Sequence, residues 1–177
     1  MLALLFAWGF AEATVFFVVA DVAVSWVAVR RGLKPALAAA LAASAGAVLG
    51  IALIYFWAAR EPAAALALVD AVPFVTAELI ERMRDHLAEQ GVAAVLIAGI
   101  TGVPIKIAAA IAPGVGIAPA PFLLFGAAQR LERFVAVALL TALIARLLRG
   151  RLSERSLTAV WAGFWVLFYA LYWTALV

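Results

Sequence analysis

Three cationic side chains, Lys106, Arg130 and Arg133, and three carboxylates, Glu12, Asp21 and Glu132, interrupt stretches of this chain that are otherwise almost wholly apolar. Guanidinium and ammonium groups so placed grip phosphate oxygens, arginine in bidentate fashion. Arg130 and Arg133 stand three apart and share one helix face. Carboxyl groups in a medium of low dielectric can exchange protons near neutral pH, or pair with a neighbouring cation. Two chemistries follow. In one, Lys106, Arg130 and Arg133 bind an anionic head group while Glu12 and Asp21 handle protons. In the other, Glu12, Asp21 and Glu132 neutralise the three cations in a structural ion network.

Glu12 and Asp21 are nine residues apart, half a turn out of phase on one continuous helix, so a straight helix sends them to opposite faces. A hairpin or a kink brings both to one cavity. The bland alternative for Asp21 is an ion pair with Arg30 or Arg31 at the end of its block.

Other chemistries are poorly provided for. The chain has no cysteine, which excludes disulfides, thiolate metal sites and thiol nucleophiles. Its one histidine, His86, has no second ligand nearby, and neither a nucleophile elbow nor a cluster of metal ligands is present. No metal, no cofactor and no intramembrane enzyme chemistry is expected.

The elements that carry these residues read as membrane helices. Of 177 residues 69% are apolar and 13% charged, and the mean hydropathy is +1.17, outside the range of soluble domains. The start, MLALLFAWGF, lacks a basic n-region and reads as structure rather than a removable signal. Residues 36–58 carry no charge and fit one span, with Ala43, Ser44, Ala45, Gly46 and Gly50 available for close helix contact. In residues 74–90 the apolar spacing of Leu79 or Ile80, Met83 and Leu87 marks an amphipathic helix on the membrane surface.

From Gly91 to Gln129 there is one charge, Lys106, and a single helix of that length would measure roughly 58 Å, twice the hydrocarbon thickness. The run must break, and Pro104, Pro113, Gly114, Gly116, Pro119 and Pro121 offer the places. Arg130, Glu132 and Arg133 then fall near the middle of a span over 121–145, where each charge costs about 2.5–3.5 kcal/mol unless it faces protein or water. A last span covers 157–177, with Trp161, Trp165 and Trp173 as packing and interface anchors.

Lys and Arg concentrate in residues 30–34 and 146–155, and the positive-inside rule wants both in the cytoplasm. Three full crossings between them would put them on opposite sides. A re-entrant hairpin over 91–117 puts them on the same side, with Gly99, Gly102, Pro104, Pro113 and Gly114 as its backbone devices. The first block, 2–29, is either a second hairpin or one tilted span. The expected fold is therefore all-α, a single polytopic membrane domain with one or two re-entrant hairpins, about three full spans and a surface helix. Hairpin then span, twice over and inverted, is a recurrent transporter layout.

On particular residues the chain resembles the DedA family, also called the VTT-domain family, in its short bacterial subgroup. Glu12 and Asp21 in FAEATVFFVVADVAV match the family's E-x-x-x-x-P-x-P-x-D spacing, with Phe17 and Val19 where the prolines would be. GITGVPIK is similar to G-x-T-P-x-P-x-K through Gly99, Thr101, Pro104 and Lys106, with Gly102 replacing the first proline. Ile100 stands where many members have a further arginine. Arg130 and Arg133 match (G/A)R-x-x-R-(F/Y) and would supply the missing charge. The resemblance implies a lipid-handling or proton-coupled protein of the bacterial inner membrane, one that flips or scrambles an anionic lipid, a polyprenyl phosphate or a phospholipid. A membrane scaffold or assembly factor is the alternative. Expected partners are membrane lipids, with protons and a second copy of the chain as further candidates, and no nucleic acid.

Overall fold

The first apolar block is two short helices, α1 (Leu2–Glu12) and α2 (Asp21–Arg31), joined by the non-helical residues 13–20. The computed structural model describes residues 1–176, apart from the side chains of Ile100, Thr101, Trp173, Ala175 and Leu176. The expectations placed on the Thr101 and Trp173 side chains lie outside the described residues. The block doubles back on itself. At its two ends the Arg31 guanidinium donates to Sδ of Met1 at 3.1 Å, and nearer the tip the Trp8 indole donates to the Val18 carbonyl at 3.0 Å. Glu12 and Asp21 thus end one arm and begin the other, which removes the phase problem of a single helix.

Gly32, at φ +81°, turns the chain into α3 (Leu33–Ala58). Among the described residues α3 is the one helix long and apolar enough to cross a membrane by length and composition. The small residues of α3 receive α1 at backbone contact: a Cβ on Gly46 would collide with the Phe6 backbone, and one on Gly9 with the Ala43 backbone. Such approach maximises dispersion contact without large side chains.

The polar middle holds a helix the sequence pattern did not announce, α4 (Pro62–Asp70), and then α5 (Ala77–Gln90), whose first turn is capped by Thr76 accepting from the Leu79 amide. Leu79, Ile80, Met83 and Leu87 are all buried. They are covered by α6 (Ala94–Thr101) and α7 (Ile105–Ile111), so the apolar face of α5 docks on protein instead of lying on a membrane surface. The reason is proximity: a short 3-10 turn, Gly91–Ala93, folds the next helix straight back against α5.

Between α6 and α7 the helix breaks where the sequence requires it. Gly102 adopts φ +80°, a left-handed cap that an L side chain resists, and Pro104 opens α7 in extended conformation. Residues 112–118 lead into α8 (Pro119–Leu148), and Tyr55 of α3 holds this linker by donating to the Ile117 carbonyl at 2.6 Å. The last helix among the described residues is α9 (Glu154–Leu176).

The helices pack in a crossed pattern. α1 lies on α3 and α6 on α8, each first arm against the long helix that follows it. α2 lies on α8 and α7 on α3, each second arm against the other long helix. α3 and α8 run antiparallel, with Tyr55 stacked on Phe122 and Ile51 against Gly126. The two basic turns meet at one end, where Arg30 pairs with Glu154 at 3.7 Å and Arg149 donates to the Val29 carbonyl at 2.8 Å. Among the described residues no strand occurs, so the all-helical class expected from the sequence holds.

Candidate functional site

The two chain reversals point at each other. Residues 13–20 come from one end of the molecule and 102–104 from the other, and the Lys106 ammonium on the second donates to the Phe16 carbonyl on the first at 2.7 Å. Lys106 is the second residue of α7, as Asp21 is the first of α2, so both breaks place a charged side chain at the head of a returning helix.

The charges converge there. Arg130 donates through Nη1 to Oε1 of Glu12 at 2.9 Å, a pair with side-chain exposures of 3% and 8%. Arg133, one turn along α8, donates to Oδ2 of Asp21 from Nε at 2.9 Å and from Nη2 at 2.6 Å. Asp21 is buried, whereas Arg133 keeps 29% of its side chain exposed. Arg130 also lies 6.0 Å from the centre of the Phe134 ring, an additional contact for a cation held away from water.

Lys106, Arg130, Arg133, Glu12 and Asp21 therefore share one cluster, as the sequence reading requires. Glu132 does not join it. It is exposed on the opposite side of α8 and has no ion-pair partner among the described residues, because its position next to the inward arginines turns it outward. Asp21 is equally not the partner of Arg30 or Arg31, which are occupied at the far end of α2. With Glu132 outside, three cations face two carboxylates, and Lys106 is the cation whose hydrogen bond goes to a neutral carbonyl and which forms no ion pair within 4 Å among the described residues.

A cavity of about 90 Å³ opens on this cluster, room for roughly three waters. Its lining includes Glu12, Lys106, Arg130 and Arg133 together with Tyr169 and Tyr172 of α9. Among the described residues two buried polar atoms of its lining have no partner, Oε2 of Glu12 and Nε of Arg130; Oδ1 of Asp21 and Oε1 of Gln129, outside the lining, have none either. Unsatisfied groups of both signs beside a void mark a site built to take up water or a polar ligand.

Family models, curated proteins and solved structures were each searched, and none matches the chain.

The backbone devices sort into two kinds. Gly99 is a close-approach residue, since a Cβ there would collide with the Gln129 side chain of α8. Gly102 and Pro104 make the break itself and line the cavity. Pro113 and Gly114 lie in the turn after α7, away from the charges, and Gly114 has room for a Cβ. Among the described residues no cluster of three or more metal-type ligands occurs.

Sequence reasoning overlooked Tyr169 and the loop 72–75, which closes the cavity with Phe74 at φ +68°. It also read Trp161 and Trp165 of α9 only as packing and interface anchors. Trp161, Trp165 and Tyr169 are spaced four apart, and all three are tied to the first hairpin. Trp161 and Trp165 donate to Ser25 Oγ at 2.9 and 3.0 Å, and the Tyr169 hydroxyl accepts from the Val19 amide at 2.9 Å. That spacing was the signal: a polar-tipped aromatic stripe along one helix face.

Proposed function

We propose that this chain is a multi-pass protein of the bacterial inner membrane, of DedA type, that moves a lipid with an anionic head group, with Lys106, Arg130 and Arg133 receiving the phosphate. The carrying observation is the charge balance of the buried cluster. Three cations stand against two carboxylates, and an excess positive charge in a nearly dry interior is costly unless an anion joins it.

The layout supports the membrane reading. α1 and α2 are each 11 residues, about 16 Å, half the hydrocarbon thickness. Two such half-depth reversals entering from opposite ends, with crossed packing on two long antiparallel helices, is the inverted-repeat arrangement whose substrate site lies where the breaks meet. α8 carries its arginines inward while Leu124, Leu139, Leu140, Leu143, Ile144 and Leu147 are exposed, a surface that suits acyl chains and not water. The joined basic turns suit the cytoplasmic face.

In this reading Asp21 and the lipid phosphate compete for the Arg133 guanidinium. Glu12 stands in the same relation to the more deeply buried Arg130. The second reading, a membrane scaffold, is supported by the fact that both arginine pairs tie α8 to the first hairpin. Purified protein in vesicles carrying a fluorescent phospholipid or a labelled polyprenyl phosphate separates the two. The lipid reading predicts exchange between leaflets faster than in protein-free vesicles, lost on Lys106→Ala. Exchange no faster than in empty vesicles contradicts it.

A further inference from the structure

A second, larger hollow adjoins the ion cluster from the side. It has a volume of about 420 Å³, inside the roughly 300–1,000 Å³ of small-ligand pockets, and lies between α2, α8 and α9. Its walls are apolar, with Val137, Leu140 and Ile144 of α8 facing Val160 and Phe164 of α9. One end reaches Leu148 and Leu157, beside the basic turn that carries Arg149 and Arg151. The other ends on Asp21 and Arg133. Arg133 thus borders both hollows, the polar cavity and the apolar groove, and keeps 29% of its side chain exposed. Both of its recorded bonds go to the single oxygen Oδ2, leaving the Nη1 donors without an acceptor among the described residues.

We propose that this groove seats one hydrocarbon chain of a phosphate-headed lipid, with the phosphate on Arg133 and α9 as the wall that admits the chain. The proposal rests on the lipid reading above and names the path of its substrate. Charge and polarity set the occupant: a cation at the inner end, a basic turn at the outer end and hydrocarbon walls between match an anionic head on an apolar tail. α9 suits a movable wall. It touches α2 sparsely, and its polar ties to the hairpin among the described residues include the bonds of Trp161 and Trp165 to Ser25, that of Tyr169 to Val19, and the exposed ion pair of Glu154 with Arg30 at the basic end. Ser25 spends its own proton on the Val22 carbonyl, so its oxygen is held in place to accept both indoles.

The test is direct labelling. Full-length protein in detergent is mixed with phosphatidylglycerol or phosphatidylcholine, each carrying a photoactivatable group in one chain, and adducts are mapped by peptide mass spectrometry. Expected is labelling on 137–144 and 160–164 at least fivefold stronger with phosphatidylglycerol than with phosphatidylcholine. Val137→Trp, which fills the groove, should remove that labelling while adducts on the outward residues Leu124 and Val166 persist. Arg133→Gln should erase the head-group preference and leave chain labelling in place. Equal labelling by the two lipids, or groove labelling unaffected by Val137→Trp, overturns the proposal. Because the readout is binding, a protein that moves lipid in vesicles yet shows no groove adducts refutes the groove alone, and groove adducts without lipid movement refute the transport reading alone.

Discussion

The two chain reversals differ in how their charges are answered. The first brings two carboxylates, Glu12 and Asp21, and each meets an arginine of α8 at 2.9 Å or less. The second brings one ammonium, Lys106, which meets a peptide carbonyl. Opposite charges in contact hold the first hairpin to α8, and breaking such a buried pair is expensive. A lone ammonium on a carbonyl holds little and attracts an anion. The first hairpin is therefore held to α8 by its charges, while the second brings a cation with no ion-pair partner among the described residues.

The largest effect expected from breaking this contrast is on stability. Arg130→Ala strands Glu12 and should cost about 3–5 kcal/mol, read as a lowered thermal midpoint in detergent. Adding Glu12→Gln to it should recover part of that loss. Next comes the contact of the first hairpin with its own long helix. Gly46→Leu drives a side chain into the Phe6 backbone and should cost about 1–3 kcal/mol by overpacking. The second hairpin is tested by Gly102→Ala, where a residue forced to φ +80° costs about 1–2 kcal/mol, by the same melt. At the bottom lies Glu132→Gln. An exposed carboxylate outside the cluster should shift the midpoint by no more than about 0.5 kcal/mol equivalent and leave lipid movement unchanged. A large effect there would return Glu132 to the network and cancel the charge excess.

Much of the site was legible in the sequence because charge in an apolar run has few places to go. Glu12, Asp21, Lys106, Arg130 and Arg133 stood out by isolation alone, and they meet. The break at Gly102–Pro104 was legible from proline chemistry and helix length. Glu132 was not, since periodicity places it beside two inward arginines without saying which of three neighbours faces in. The reversal after Glu12 was not fixed either: residues 13–20 contain no proline or glycine, and what turns the chain is tertiary, the packing of both arms on α3 and α8. For α5 the apolar stripe was correct and its partner was not. A stripe records that a face is covered, and the covering turned out to be α6 and α7.

The central claim is that Lys106 leaves the interior one positive charge in excess of neutral, and that a lipid phosphate balances it. Lys106→Met keeps the stem of the side chain and deletes the charge without stranding a carboxylate, so the protein should remain folded, with a thermal midpoint equal to or above that of the parent. The decisive measurement is leaflet exchange of a labelled anionic lipid in vesicles containing either protein. The charge-excess reading predicts at least a tenfold loss of the protein-dependent rate for Lys106→Met, and an unchanged rate would contradict it.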